Sequence, residues 1–435
     1  MIFAVPLAWL QLTYEKSRLL VAIAGITFAV ILIFMQIGFA DALFRSAVRL
    51  HNNLRGDIVL ISPQSTNLVG MRNFSQRRLY QAMGIEGVEA VNPIYIGLGA
   101  WKIKESESGS TRNILVLGAD PSVEVFKLPG VDVASDPVKK TALDLTPVQA
   151  ADVVLFDAAS RPEFGPIIKE YREAVQTGET VTREVANRKI SIGGFFELGS
   201  SFASDGTILT SDLNFLRIFD NRRAGLINVG VIILKSGTNR EEVISKLVAL
   251  LPGDRVSVVD PDLKINAQKL KTDLTIADIK KGDIIGDDIR VLTMEQFIAF
   301  ERGYWQKSTS IGFIFSLGTV MGFIVGVVIV YQILYTDVSD HIAEYATLKA
   351  MGYSNFYLSK VVLQEAFVLA ILGFIPGFIA CIGLYAMTKN ATRLPLDMTP
   401  ERGIQVLLLT IAMCVISGAI SLRKVQSADP AEIFG

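Results

Sequence analysis

The chain has 435 residues, 50% of them hydrophobic, and a mean hydropathy of +0.41. That is too apolar for an ordinary soluble enzyme and too polar for a chain wholly inside a membrane, so the apolar residues must be segregated. A formal net charge of −1 supplies no basic field and argues against nucleic acid as a partner.

In chain order, residues 1–18 come first. Pro6, Leu7, Trp9, Leu10 and Leu12, followed by Lys16 and Arg18, suit a short interfacial helix with Trp9 at headgroup level. Residues 19–39 form an uncharged apolar run. It is too long for the core of a cleavable leader, no small-x-small site follows it, and it reads as a permanent anchor.

Residues 40–305 are mixed in character. Two stretches there share a pattern. Strand-like Asp57-Ile-Val-Leu-Ile-Ser62 precedes a helix-like segment over 75–83 and a strand-like one over 88–95. Strand-like 228–234 precedes helix-like 239–251 and strand-like 255–259. Each reads strand, amphipathic helix, strand, which suggests a duplicated βαβ unit. Between the copies, residues 121–206 are rich in charge, Pro and Gly and form an inserted subdomain, with strands expected at 153–156 and 189–196. Residues 264–289 are polar and read as a loop or short hairpin. From Met294 the pattern turns helical through Phe297, Phe300, Tyr304 and Trp305, the last two placed for an interfacial aromatic belt.

Three more apolar spans follow, at 309–335, 362–388 (uncharged from 366) and 403–422, before a 423–435 tail. A bilayer core of about 30 Å takes roughly 20 helical residues, and each run is long enough. The expected fold is therefore an α-helical membrane protein of four transmembrane helices, with a large α+β domain between the first and second. Small residues recur on these spans: Ala22, Gly25 and Ala29 on the first, Gly318, Gly322 and Gly326 on the second, Gly373 and Gly377 on the third. Such ladders let helix backbones approach closely, within one chain or between copies. Glu365 borders the third span near Lys360. It reads either as a functional intramembrane acid or as an interfacial residue that shapes packing, and the second reading is preferred because no other acid lies within the runs.

Charge does not orient the spans. With four spans both termini share a side, where Lys16, Arg18, Lys349, Lys360, Arg423 and Lys424 lie. Arg45, Arg49, Arg302, Lys307, Lys389, Arg393 and Arg402 lie opposite, and six against seven is a tie. Catalytic constellations are missing from the sequence. His51 and His341 are the two histidines and both cysteines lie in apolar runs, so no metal or cofactor is expected. The sequence has no nucleophile elbow and no Gly-x-x-x-x-Gly-Lys-Ser/Thr loop to cradle phosphate. The chain is expected to be no enzyme.

Between the second and third spans, residues 341–358 are distinctive. A partly apolar short helix (Ile342, Tyr345, Ala346, Leu348, Ala350) ends at Gly352, placed as a C′ glycine. Glu344-Tyr-Ala-Thr-Leu-Lys-Ala-Met-Gly-Tyr353 resembles the cytoplasmic coupling helix of FtsX/MacB-type ABC permeases. Gln364-Glu365 with Gly373 and Gly377, and the tail Arg423-Lys-Val-Gln-Ser-Ala-Asp-Pro-Ala-Glu-Ile-Phe434, are similar to the third span and C-terminus of that family. His341 stands where many relatives carry an Arg beside the acid. Pro6-Leu-Ala-Trp-Leu-Gln-Leu-Thr13, Phe34-Met-Gln-Ile-Gly-Phe39, Asp57-Ile-Val-Leu-Ile-Ser-Pro-Gln-Ser-Thr66 and Phe74-Ser-Gln-Arg-Arg-Leu-Tyr80 resemble the cyanobacterial DevC subgroup.

The resemblance implies a homodimeric permease of the bacterial inner membrane, with both termini cytoplasmic and the large domain periplasmic. A separate ABC ATPase subunit, a periplasmic adaptor and a TolC-like outer-membrane protein are the implied partners, and lipid or glycolipid the implied cargo. Glu344, Tyr345, Leu348, Lys349, Met351, Gly352 and Tyr353 would couple to the ATPase, with Tyr345, Leu348 and Met351 as the inserting face. The implied work is mechanotransmission in a tripartite exporter. The alternative is an FtsX/LolC-like mechanotransmitter that regulates an envelope hydrolase or releases lipoproteins.

Overall fold

The computed structural model describes residues 16–103, 110–135, 139–260 and 265–427. Most of the expected interfacial segment 1–18, all of the run 6–13 and residues 428–435 of the tail lie outside them. The chain forms two compact units, one of Met1–Ala42 with Ser310–Gly435, the other of Leu43–Thr309.

In the first unit, four helices are long and apolar enough to cross a bilayer: Lys16–Ala47, Ser310–Asp340, Ser359–Thr392 and Pro400–Leu422. They are the first to fourth spans. The third belongs to a longer helix, Asn355–Thr392, which carries Pro376 in its interior. Helices form here because lipid offers no partner for a free peptide group. Their backbones meet at the small residues. A Cβ on Gly373 would lie 2.4 Å from Ile26 Cγ2, and one on Gly377 2.7 Å from Val30 Cγ1. Thr27 Oγ1 donates to the Gly373 carbonyl at 3.1 Å in the same contact. Gly25 faces Ile329, Gly318 faces Gln36, Gly322 faces Ile33, and Gly326 faces Ala29 and Met413; Ala22 and Ala29 are buried. These contacts all lie inside one chain. Three spans are also pinned by polar groups. Arg402 at the start of the fourth pairs with Asp41, its guanidinium lies 5.5 Å from the Tyr385 ring, and Tyr385 Oη donates to the Phe34 carbonyl at 2.5 Å.

The second unit is built on β1 (Ile58–Ile61), β2 (Phe74–Ser75), β3 (Val88–Lys102), β4 (Thr111–Ala119), β5 (Gly130–Asp132), β6 (Lys139–Thr141), β7 (Val153–Asp157), β8 (Thr182–Val185), β9 (Arg188–Phe196), β10 (Thr207–Ser211), β11 (Leu226–Ile227), β12 (Val229–Leu234), β13 (Arg255–Asp260), β14 (Ile265–Leu270), β15 (Asp283–Ile285) and β16 (Arg290–Thr293). One mixed sheet runs β14-β13-β15-β16-β1-β12-β3-β4-β10-β7-β9-β5-β6, with β8 against β3 and β9; β2 pairs with β11.

Both strand–helix–strand units form, through helices Gln76–Ala82 and Arg240–Ala249. They interleave, since β12 of the second sits between β1 and β3 and pairs antiparallel with both. The all-apolar run of β1 follows from this central position. Ile58 and Leu60 pack into one core layer, Val59 and Ile61 into the other, as expected of a strand covered on both faces. The inserted residues continue the same sheet, because β10 lies parallel to β4 and carries β7 and β9 beyond it. Residues 265–289 hold more order than a loop. β14 pairs along β13, and helix Ile276–Lys281 starts on a Thr275/Asp278 capping box that Lys269 reinforces at 2.7 Å. Its polar composition reflects an edge strand and a one-faced short helix, not the absence of structure.

The glycine contacts generate a prediction. Gly373→Val must displace the β-branched Ile26, whereas a Cβ on Gly383 meets nothing within 4 Å. Overpacking of this kind costs about 1–3 kcal/mol. Thermal stability of the purified chain in detergent should fall clearly for Gly373→Val and stay near wild type for Gly383→Val; equal loss in both would contradict the contact.

Candidate functional site

The loop between the second and third spans folds as the helix Ile342–Ala350. Its start is set by the end of the second span. The His341 amide donates to the Asp337 carbonyl at 3.2 Å, and the His341 carbonyl accepts from Glu344 and Tyr345 at 3.1 Å each. Its end is a Schellman motif. The Gly352 amide donates to Lys349 O at 3.0 Å and the Tyr353 amide to Leu348 O at 3.1 Å, with Gly352 at φ +89°. Glycine takes that left-handed conformation without the penalty a Cβ would bring. Ser354 then caps the next helix through its side chain, which accepts from the Tyr357 amide.

Burial sorts the expected coupling residues into two groups. Tyr345 is only 1% exposed and packs with Val338 and Val362, with Leu348 and Leu422 against them. Tyr345 therefore belongs to the inner side of the helix and braces it. The face expected from the spacing of Tyr345, Leu348 and Met351 is corrected to that extent. A three-residue step marks one side of a helix but not which side faces its own protein. Glu344, Met351, Gly352 and Tyr353 are exposed, and Leu348 and Lys349 are half-buried.

The exposed side carries an aromatic extension that the sequence reading passed over. Phe356 is 81% exposed, Tyr357 is exposed beside it, and the Tyr353 and Tyr357 rings lie 4.8 Å apart. With Met351 they make a patch of large apolar side chains around the Gly352 turn. The signal was present as Tyr353-Ser-Asn-Phe-Tyr357, with aromatics on the first turn after a Ser cap.

The second unit has its own concentrated site, where residues 46–52 and 294–308 come together. Arg49 Nη1 donates to the carbonyls of Leu198 and Ser200 at 3.1 and 3.2 Å. The Phe202 amide donates to Ser46 Oγ at 3.2 Å, and the Phe202 ring meets Trp305 edge-on at 4.7 Å. The loop around 198–202 is thus strapped onto both helical segments. Beneath it, buried Asp157 accepts from the amides of Leu198 and Gly199 at 3.0 and 2.8 Å. Burial still pushes its carboxyl up to about 6. Trp305 is half-buried; its Nε1 donates to Glu301 Oε1 at 2.7 Å, while the Leu68 amide donates to Oε2 at 2.7 Å. A π-helical turn over Tyr304–Ser308 makes room for this. His51 lies 3.7 Å from Glu301, stacked 4.4 Å from Phe297, beside a small cavity lined by Leu54, Leu68, Ile94 and Val229. Burial lowers the His51 imidazole to about 3 and raises the Glu301 carboxyl to about 7. At neutral pH His51 is therefore uncharged. Among the described residues no group of three His, Cys, Asp or Glu side chains is placed to hold a metal ion.

Residues 315–430, which include the loop helix and its patch, match the family model described as the FtsX-like permease C-terminal domain. No curated protein matches the chain. The chain is similar to the periplasmic region of MacB from Actinobacillus actinomycetemcomitans, at 12% identity over 53% of this chain and 94% of that one, with a TM-score of 0.30. It is also similar to the extracellular domain of the noncanonic ABC-type transporter YknZ from Gram-positive bacteria, at 12% identity over 50% of this chain and 99% of that one, with a TM-score of 0.31.

Glu301 makes stability depend on pH. Its folded value of about 7 exceeds the ordinary 4.5, so its contribution is full below about 4.5 and is lost as pH rises through about 7, by up to about 3 kcal/mol. Glu301→Gln removes that loss. The melting temperature of the variant should gain on wild type as pH rises from about 4.5 to about 7 and level off above that; a constant difference from pH about 4.5 to about 7 would refute the burial argument.

Proposed function

We propose that the chain is the permease subunit of an ABC-type transporter, relaying the ATP-driven motion of a separate ATPase subunit to its large soluble domain. The observation that carries this reading is the loop helix itself. It is braced from within by Tyr345 and closed by the Gly352 turn, and it presents Met351, Tyr353, Phe356 and Tyr357 outward. Solvated loops rarely display four large apolar side chains together, and such a patch fits insertion into a groove on a partner. The match of residues 315–430 to an FtsX-like permease domain supports the same reading. So does the sequence, which carries no phosphate-cradling loop of its own.

On this reading the loop helix and both termini are cytoplasmic and residues 43–309 are periplasmic. Two copies of the chain pair with the ATPase, and the soluble domain meets a periplasmic adaptor and a TolC-like duct. The resemblance to the DevC subgroup supports a glycolipid or related envelope lipid as cargo. Motion would reach the soluble domain at residues 46–52 and 294–308, where the straps from Arg49, Ser46 and Trp305 hold the 198–202 loop.

Two measurements test the proposal. Met351→Asp and Phe356→Asp place charge on exposed positions and should leave folding intact, yet each should weaken copurification of the ATPase from native membranes. An anchor worth about 2 kcal/mol corresponds to roughly thirtyfold. Full ATPase recovery and export with both variants would remove the docking role. Separately, cysteines at Ala343 and Ser122 report topology, because native Cys381 and Cys414 are buried. An impermeant thiol reagent on cells opened only at the outer membrane should reach Ser122→Cys and spare Ala343→Cys, and the reverse labelling would invert the orientation.

A further inference from the structure

Within the soluble unit, helix Arg49–Asn52 and helix Met294–Gly303 bury a histidine against a glutamate. Both side chains are fully buried, and His51 Nε2 lies 3.7 Å from Glu301 Oε2. Neither imidazole nitrogen has a hydrogen-bond partner. Glu301 is better served, since Oε1 accepts from the Trp305 indole and Oε2 from the Leu68 amide. On its other sides the ring meets Phe297 and the cavity lined by Ile94, Ile96 and Val229. A polar atom left unmet in so dry a place is costly, and the nearest group that could meet Nε2 is the Glu301 carboxyl.

The charged groups on the surrounding elements are engaged with other residues or lie at the surface. Beside His51, the Arg49 guanidinium donates to the Leu198 and Ser200 carbonyls. Along the helix of Glu301, Glu295 pairs with Arg240 at 2.8 Å, and Arg302 is exposed, as are Lys307 after it and Arg72 beyond Leu68. From β16, Arg290 pairs with Asp283 and lies over the Phe300 ring. Asp57, just before β1, accepts from the Leu234 amide at 2.8 Å. The proton therefore has two candidate seats, His51 and Glu301. An imidazolium would bury a charged Nδ1–H against apolar walls. Burial accordingly holds His51 at about 3 and Glu301 at about 7, which seats the proton on the carboxyl.

We infer that His51 and Glu301 form a binding site for one proton, carried on Glu301 Oε2 and donated to His51 Nε2. A closure of about 0.9 Å brings the two atoms to ordinary hydrogen-bond length. The ring keeps its own proton on Nδ1, so the pair carries no net charge. This proton ties residues 49–52, near the start of the soluble unit, to residues 294–303, near its end. When it leaves for solvent, Nε2 loses its donor and Glu301 becomes a buried carboxylate held by two N–H groups. Those two bonds offset only part of the cost of burying the charge. Water drawn toward Glu301 relieves the rest and loosens the contact with His51. The tie is closed while the carboxyl is protonated and weakens as pH rises through about 7.

Nitrogen NMR of the full chain in lipid, labelled at histidine, tests this without any partner, so its outcome is separate from that of the docking proposal. The chain has two histidines, and His341→Gln assigns the signals. At pH about 5, where an ordinary imidazole is charged, His51 should still show the two unlike nitrogens of a neutral ring. Its unprotonated nitrogen should carry the displacement of a hydrogen-bond acceptor and lose it as pH rises through about 7. Glu301→Gln should abolish that pH dependence. An imidazolium at position 51 at pH about 5 overturns the site, and so does a signal that stays put from pH about 5 to about 9. Movement that persists in Glu301→Gln overturns it as well. Should that variant fail to fold, the wild-type titration decides by itself.

Discussion

Hydrocarbon cannot hydrogen-bond a peptide group, and much of this chain follows from that constraint. Within the membrane unit the backbone has no choice but helix, so the spans differ only in where their side chains let them meet. Gly373 and Gly377 seat Ile26 and Val30, which brings the first and third spans close enough for Thr27 to reach a backbone carbonyl. The same constraint makes polar groups in the spans expensive and therefore informative. Arg402 pairs with Asp41 and lies over the Tyr385 ring.

The segments outside the spans are held by ties of their own. The short loop helix is built from both ends: Asp337 and His341 begin it, the Gly352 turn stops it, and Tyr345 holds it down. A helix of nine residues would be marginal alone in water. These tertiary ties are what let it keep large apolar residues on its outer side without collapsing onto them. The soluble unit solves a different problem. Its long sheet is covered on both faces, and its polar ties concentrate where the chain enters and leaves it, at Arg49, Glu301 and Trp305.

Several elements were legible in the residues. The four spans follow from uncharged runs of sufficient length, the C′ role of Gly352 from its place after a short apolar helix, and the two strand–helix–strand units from repeated patterning. Residues 264–289 were harder, because an edge strand and a one-faced helix carry too few apolar residues to show a period. Sequence position could not reveal that Glu301, one helical turn earlier, would accept from the Trp305 indole.

The sequence by itself determined what had to be helix and what had to be sheet, since these depend on run length, periodicity and residue type. Only the tertiary structure decided which side of a helix faces inward. Tyr345 and Phe356 are equally plausible as outward anchors on paper; one is buried by Val338 and Val362 and the other is left in the open. Spacing along the chain marks one side of a helix, and what covers that side depends on which elements pack against it in space.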